Sequence, residues 1–299
     1  MITPSCSNEV AEALSEGRAV VALESTIFSN LGLPSPANAE ALDRCIDVIR
    51  SAGAVPAVTA VLDGVARVGL DASEHQRILG AARKAAERDL PVAVAQRWDF
   101  GATTVSASVA LAAAVGVRVF ATGGIGGVHR GGETTGDVSA DLDALAHHRV
   151  VTVCAGAKAF LDLPRTLEYL ETVGVPVIGW QHDDFPAFYT RSSGLPVPHR
   201  VESASEVAAV LANGTRERSG VLVAVPIPTD DELDPVELDR VLGDELADCD
   251  AAGITGAAIT PFVLGRIGEA TDGRSVPANL ALAENNARVA AEIALAAAG

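Results

Sequence analysis

Short, unbroken runs of Val, Ile, Leu and Ala recur along this chain between longer amphipathic stretches. AVVALESTI (19–27), VPAVTAVL (55–62), PVAVA (91–95), VRVFA (117–121), VVTVC (150–154), VPVIGW (175–180) and VLVAVP (221–226) read as strands. Apolar runs without alternation fit strands buried on both faces. Between them, ANAEALDRCIDVIRSAG (37–53) reads as a helix ending at Gly53, SEHQRILGAARKAAERD (73–89) as a helix capped by Ser73 and carrying Lys84, and GATTVSASVALAAAVG (101–116) as a helix of small residues. Asp63-Gly64 predicts a hairpin turn into VARVGL. Repetition of strand and helix implies right-handed crossovers. The expected fold is α/β: a three-layer αβα sandwich with a mostly parallel central sheet and a small hairpin excursion near residues 60–70. No linker, repeat or composition shift divides residues 1–299, so one domain is expected.

Composition narrows the function. With 48% hydrophobic and 20% charged residues the chain can bury a large core. A net charge of −17 argues against nucleic acid as a partner, though local dipoles still allow a small phosphorylated ligand. No apolar run approaches the roughly 20 residues of a membrane span. MITPSCSNEV lacks the basic and apolar regions of a secretory signal, and Cys6, Cys45, Cys154 and Cys249 lack metal-site spacing; reduced thiols in a cytoplasmic protein are expected. The 22 basic residues include two lysines, Lys84 and Lys158. Arg serves as well on a solvated face, but only Lys can lose its proton and attack a carbonyl.

In parallel α/β sheets, ligands bind at the carboxyl ends of strands. Three such ends carry unusual chemistry. Glu24 sits in an apolar run, where a carboxylate is costly unless paired or protonated. It reads equally as a general acid of raised pKa or as the partner of a buried Arg. ATGGIGGVHRGGETTGD (121–137) is dense in glycine and includes Thr122, His129, Arg130 and Thr134. The plainer reading is a glycine-rich flexible turn, but its length and polar content favour an anion-binding nest, and it lacks both the dinucleotide and the P-loop spacing. Asp137 and Asp141, with Ser139 between them, can hold a hard divalent cation or cap a helix, and capping is the commoner role. Lys158 follows VVTVC and the small residues Ala155, Gly156 and Ala157. Burial there would free its amine for covalent attack; the plainer reading is a Lys reaching solvent. FPAFYTRSSG (185–194) reads as a lid over a planar ligand or as an ordinary packed loop. Adjacent His147 and His148 point different ways and form no ligand pair.

Together these segments resemble the pseudouridine-5'-phosphate glycosidase family. ALEST, RDLP, GATTV, FATGGIGGVHRG, DVSADL, VCAGAK, LEYLET, GVPVIG, FPAFYTRSSG, PIP, TPF and ANLALAENNA carry the resemblance across nearly the whole chain. It implies a homotrimeric α/β/α enzyme with a divalent metal, commonly manganese. The enzyme would make or break a carbon–carbon bond between C1' of ribose 5-phosphate and C5 of uracil. By the same resemblance, Lys158 would form a Schiff base with the ring-opened sugar and Glu24 would be the proton donor. Lys84, Thr104, Val105, Ser139, Ala140 and Asp141 would contact substrate. Thr122 and His129 would line the sugar-phosphate site, Asn279 would meet the base, and Asp137 would hold the metal through its waters.

The chain departs from the family pattern in places. Ser29-Asn30-Leu31-Gly32-Leu33-Pro34-Ser35-Pro36 replaces a segment that usually carries a His where Asn30 stands. Gln96-Arg97 replaces a Lys-containing pair and precedes Trp98-Asp99-Phe100, and Gly136 replaces an aromatic. These changes raise an alternative planar aglycone, an aromatic polyketide joined by a C-ribosylating synthase of antibiotic biosynthesis. An alternative of another class is a non-catalytic sugar-phosphate-binding protein, which would form no covalent intermediate. A nicotinamide dehydrogenase is weaker, since the glycine segment lacks the fingerprint.

Overall fold

The computed structural model describes residues 2–214, 218–254 and 259–298, less the side chains of residues 250, 260 and 261. The TPF stretch (260–262) therefore lies partly outside the described residues. In chain order the strands are β1 Ser5–Cys6, β2 Val20–Leu23, β3 Val55–Leu62, β4 Val65–Val68, β5 Arg83–Ala85, β6 Phe100–Thr103, β7 Val119–Ala121, β8 Val151–Cys154, β9 Val177–Trp180, β10 His199–Val201 and β11 Val221–Ala224. The helices are α1 Asn8–Ser15, α2 Ala37–Ala52, α3 Ala72–Ile78, α4 Leu90–Ala95, α5 Val105–Val115, α6 Gly132–Thr135, α7 Ala140–His147, α8 Leu163–Val173, α9 Ala204–Ala212, α10 Pro235–Ala251, α11 Ile259–Ala270 and α12 Ser275–Ala298.

The central sheet runs β3-β2-β7-β8-β11-β9-β10, and every neighbouring pair in it is parallel. β2, β7, β8, β9 and β11 are buried along their whole length, as apolar runs covered on both faces must be. α12 packs against α2, α9 and β7, whereas α5 packs on α7 and α7 on α8. These are the two outer layers of the expected sandwich.

The hairpin excursion is larger than the sequence implies. β3 pairs with β2 through residues 55–58, then continues into a second sheet. There it runs antiparallel to β4 through Asp63-Gly64, and antiparallel to β6, which carries β5 in parallel. Asp63 takes φ 52° and Gly64 φ 75°, the pair of positive angles that such a turn needs.

Four expectations change. Helix 73–89 is broken: α3 stops at Ile78, Gly80 follows, and residues 83–85 form β5. The alanine-rich AARKAAE favours helix, but an open edge on β6 captures it, tertiary pairing overriding propensity. Asp71, not Ser73, caps α3, accepting from the Ser73 and Glu74 amides at 2.9 Å each. PVAVA belongs to helix α4, with Pro91 in its first turn. Residues 101–103 belong to strand β6, so α5 starts only at Val105.

Candidate active site

Adjacent strands β2, β7 and β8 place Glu24, Thr122 and the 155–158 loop at one carboxyl edge, about 4.8 Å apart strand to strand. β2 ends at Leu23, so Glu24 leads the turn beyond it rather than lying within the run. That turn is pinned from below: Ser25 Oγ accepts from the Thr103 amide at 3.0 Å, and Thr103 Oγ1 donates to the Thr59 carbonyl at 2.8 Å. The Glu24 side chain is buried, and its carboxyl accepts a short hydrogen bond from the Thr122 hydroxyl. Burial pushes its pKa up to about 7; Lys158, the Thr122 hydroxyl and Lys84 pull downward, while Asp141 adds to the rise. At neutral pH the carboxyl divides between acid and base forms, the condition a proton-transfer group needs. The alternative of a buried Arg partner does not apply, because the cations acting on Glu24 are the two lysines.

Lys158 is held by interlocked backbone. Ala155 N donates to Gly123 O at 2.9 Å, Ile125 N to Gly156 O at 3.1 Å and Lys158 N to Ile125 O at 3.1 Å. The glycines allow this close approach. Gly156 takes φ 79°, and a Cβ there would lie 2.0 Å from the Pro186 carbonyl oxygen. A Cβ on Gly126 would lie 2.3 Å from Ser139 Oγ. Part of the expected anion nest is engaged within the protein. The amides of Thr122, Ile125 and His129 donate to protein carbonyls, that of Val128 to Thr166 Oγ1, and that of Gly126 to the Asp141 carboxylate at 2.8 Å.

Asp141 is thus an internal strut. Its other oxygen accepts from the Ser106 amide at 3.0 Å. Ser139 caps α7, accepting from the Asp141 amide at 3.2 Å, and Ala140 is exposed in the first turn. Lys84 reaches the same place from the second sheet. Its side chain is open to solvent yet crowded by protein, and desolvation, then the Lys158 charge, lowers its pKa. Thr104 and buried Val105 join at the β6–α5 corner, where the Thr104 amide donates to Ala85 O at 3.0 Å.

His129 completes the polar wall. Its Nδ1 lies 3.8 Å from Asp137 Oδ2, and desolvation lowers its pKa against the pull of Asp137, with Lys158 and Lys84 adding to the fall. Among the described residues no group of three or more His, Cys, Asp or Glu converges as a metal cage. Each Asp141 oxygen already accepts a backbone amide, and Asp137 is a carboxylate that could hold a hard cation through its waters.

FPAFYTRSSG is packed rather than loose. Phe185, Phe188 and Tyr189 are buried, and the Phe188 and Tyr189 rings meet edge to face at 4.7 Å. Asn279 and Ser275, on α12, face the buried Tyr189 phenol, and Asn279 Oδ1 is buried with no hydrogen-bond partner among the described residues. One residue the sequence reading missed is Asn286, two helical turns beyond Asn279; a second polar residue on an apolar helix face was the available signal.

Fold and site together define an α/β enzyme with a lysine–carboxylate pair at the carboxyl edge of a parallel sheet. A family model described as Indigoidine synthase A like protein matches residues 9–296. A pseudouridine-5'-phosphate glycosidase of Caldanaerobacter subterraneus subsp. tengcongensis is 49% identical over 294 residues, covering 97% of this chain and 95% of the relative. One from Streptomyces griseus is 50% identical over 302 residues, covering 99% and 92%. The crystal structure of the prealnumycin C-glycosynthase AlnA in complex with ribulose 5-phosphate superposes with a TM-score of 0.90 at 36% identity, covering 98% of this chain and 96% of that one. An indigoidine synthase A-like protein of Thermotoga maritima gives 0.87 at 34% identity, with the same coverage. The chain belongs to the pseudouridine-5'-phosphate glycosidase family and is an enzyme of the C-glycosidase type, which sets aside the non-catalytic binding protein.

Proposed function

We propose that the enzyme reversibly joins C1' of ribose 5-phosphate to C5 of uracil, giving pseudouridine 5'-phosphate. The observation that carries this reading is the meeting of Lys158, Lys84 and the buried Glu24 carboxyl, of raised pKa, at one strand edge. A carbon–carbon glycosidic bond has a poor leaving group, so the paired carboxylates of ordinary glycosidases do not suffice. Opening the ribose ring exposes an aldehyde. The Lys158 amine adds to C1 and water leaves, giving an iminium that accepts electrons. Uracil C5 attacks that carbon, and Glu24 takes the proton C5 loses. The sugar's ring oxygen then returns to C1, the C1–N bond breaks, and the sugar hydroxyl proton leaves with the Lys158 amine. Cleavage runs the same steps backward, with Glu24 as the acid.

Lys84 and His129 would meet the sugar phosphate, Lys84 as its cationic contact. Asp137 would hold a hydrated divalent cation, manganese by family resemblance, which would supply positive charge to balance the sugar phosphate. The unpartnered Asn279 Oδ1 suits an N–H of a planar heterocycle, since a buried orphan acceptor costs about 1–3 kcal/mol until a donor fills it.

A second reading, a larger aromatic aglycone, has one observation in its favour. A cleft of about 540 Å³, lined by Arg130, Ala159, Thr190, Ser192 and Leu238, begins one residue beyond His129 and Lys158. One experiment addresses both readings. Incubation with ribose 5-phosphate and uracil should yield pseudouridine 5'-phosphate, and borohydride with ribose 5-phosphate should trap a covalent adduct at Lys158 that Lys158→Arg abolishes. An adduct without turnover of uracil would overturn the uracil reading and favour the larger acceptor. An adduct that persists in Lys158→Arg would move the nucleophile to Lys84.

A further inference from the structure

The amide of Asn286 is fully buried, on the face of α12 that packs on β7. Its Nδ2 donates to the Thr122 carbonyl at 2.8 Å and to the Gly123 carbonyl at 3.2 Å. Only an NH2 group can face two carbonyl oxygens, so the chemistry fixes the amide's orientation. Oδ1 has no partner among the described residues. An apolar residue of similar size would remove the orphan oxygen but strip the Thr122 carbonyl of its donor, so the amide is kept for what it holds.

Its target is the residue that touches Glu24. The Thr122 amide is tied to Val153 O at 3.0 Å, its carbonyl to Asn286, and its hydroxyl to the Glu24 carboxyl. With both ends of its backbone held and its β-branched side chain stiff at χ1, Thr122 presents its hydroxyl in a fixed direction. We propose that Asn286 is a positioning residue for proton transfer, fixing the Thr122–Gly123 backbone so that the Thr122 hydroxyl is presented to Glu24. The proposal rests on Glu24 being the proton-transfer group.

A hydroxyl donating to a carboxylate favours the charged form. Loosening Thr122 therefore raises the Glu24 midpoint, against the constant influence of Lys158, Lys84 and Asp141. The test follows Glu24 by carbon NMR titration of protein labelled at glutamate carboxyls, with Glu24→Gln identifying the resonance, and measures turnover of pseudouridine 5'-phosphate in parallel. Asn286→Leu and Thr122→Val should each move the midpoint upward. The double variant should move it no further than the larger single effect, because both act through one hydrogen bond. In turnover, kcat should fall about tenfold or more, as expected from losing roughly 1.4 kcal/mol, with KM little changed. Asn286→Ser provides the same readings if the leucine variant fails to fold. Asn285→Ala, whose amide bonds Pro226 O at 3.4 Å instead, should leave the midpoint in place. An unmoved midpoint in the Asn286 variants, or additive shifts in the double variant, would overturn the positioning role. Full activity of Glu24→Gln would overturn the proton-transfer reading beneath it, and with it the proposal.

Discussion

Glu24 occupies its position at a thermodynamic cost. Its pKa is raised by burial to about 7 from an ordinary 4.5. Between those values the folded state holds a proton that the unfolded state has released. The folded protein therefore binds more protons across that window, and stability falls as pH rises through it. Glu24→Gln removes the charge that must be buried above the window. The variant should match the wild type in denaturation midpoint near pH 4, and exceed it at pH 8 by up to about 3 kcal/mol, at 1.36 kcal/mol per pKa unit. Equal stability at both pH values would contradict the burial argument. The sequence displayed this residue, since an acid after VVAL stands out, but left its partner open. The partners are lysines from residues 84 and 158, and no local pattern announces that they meet. Two lysines in an arginine-using chain were the available clue, and chemistry gave it meaning. Asn286 left a fainter trace, because one buried amide on an alanine-rich helix looks like any tolerated polar residue.

The long parallel strands were legible because buried β-branched runs have few alternative fates. The short elements around Lys84 were not. Three residues of β5 carry no periodicity, and their alanine content favours helix; β6 supplies the hydrogen-bonding edge that decides the matter. α4 shows the converse, an apolar run that could be strand or helix, decided by Pro91 in the first turn. The glycine segment was read as a cradle for an outside anion, and several of its amides serve neighbouring loops and the Asp141 carboxylate instead. Its glycines are spacers between three backbones. Gly156→Ala tests this directly: the added methyl has no room beside the Pro186 carbonyl, and φ 79° disfavours any L side chain. Destabilisation of about 2 kcal/mol or more is expected, with borohydride trapping at Lys158 reduced more than Tm alone would account for. Normal trapping in a folded Gly156→Ala variant would show that the loop tolerates displacement.

One buried apolar cluster runs from the hairpin sheet through the central sheet to α12. Two thiols report on it from different elements. Cys45 on α2 and Cys154 on β8 are buried, and burial pushes each up to about 12. Cys6 on β1 is partly exposed. A thiol reagent at pH 8 should therefore label Cys6 first, with Cys45 and Cys154 reacting together and only at the rate of global opening, as read by peptide mass mapping. Early labelling of Cys154 alone would mean that the site end of the sheet opens by itself. β3 gives this cooperativity a particular shape. Its first half belongs to the central sheet and its second half to the hairpin sheet, so it is the beam on which both are mounted. Lys158 rides on one sheet and Lys84 on the other. The spacing between the Lys158 and Lys84 amines is thus an angle between two plates, read out at their common edge. A change confined to the hairpin sheet can widen or narrow the gap between the two amines while Lys158 stays where it is.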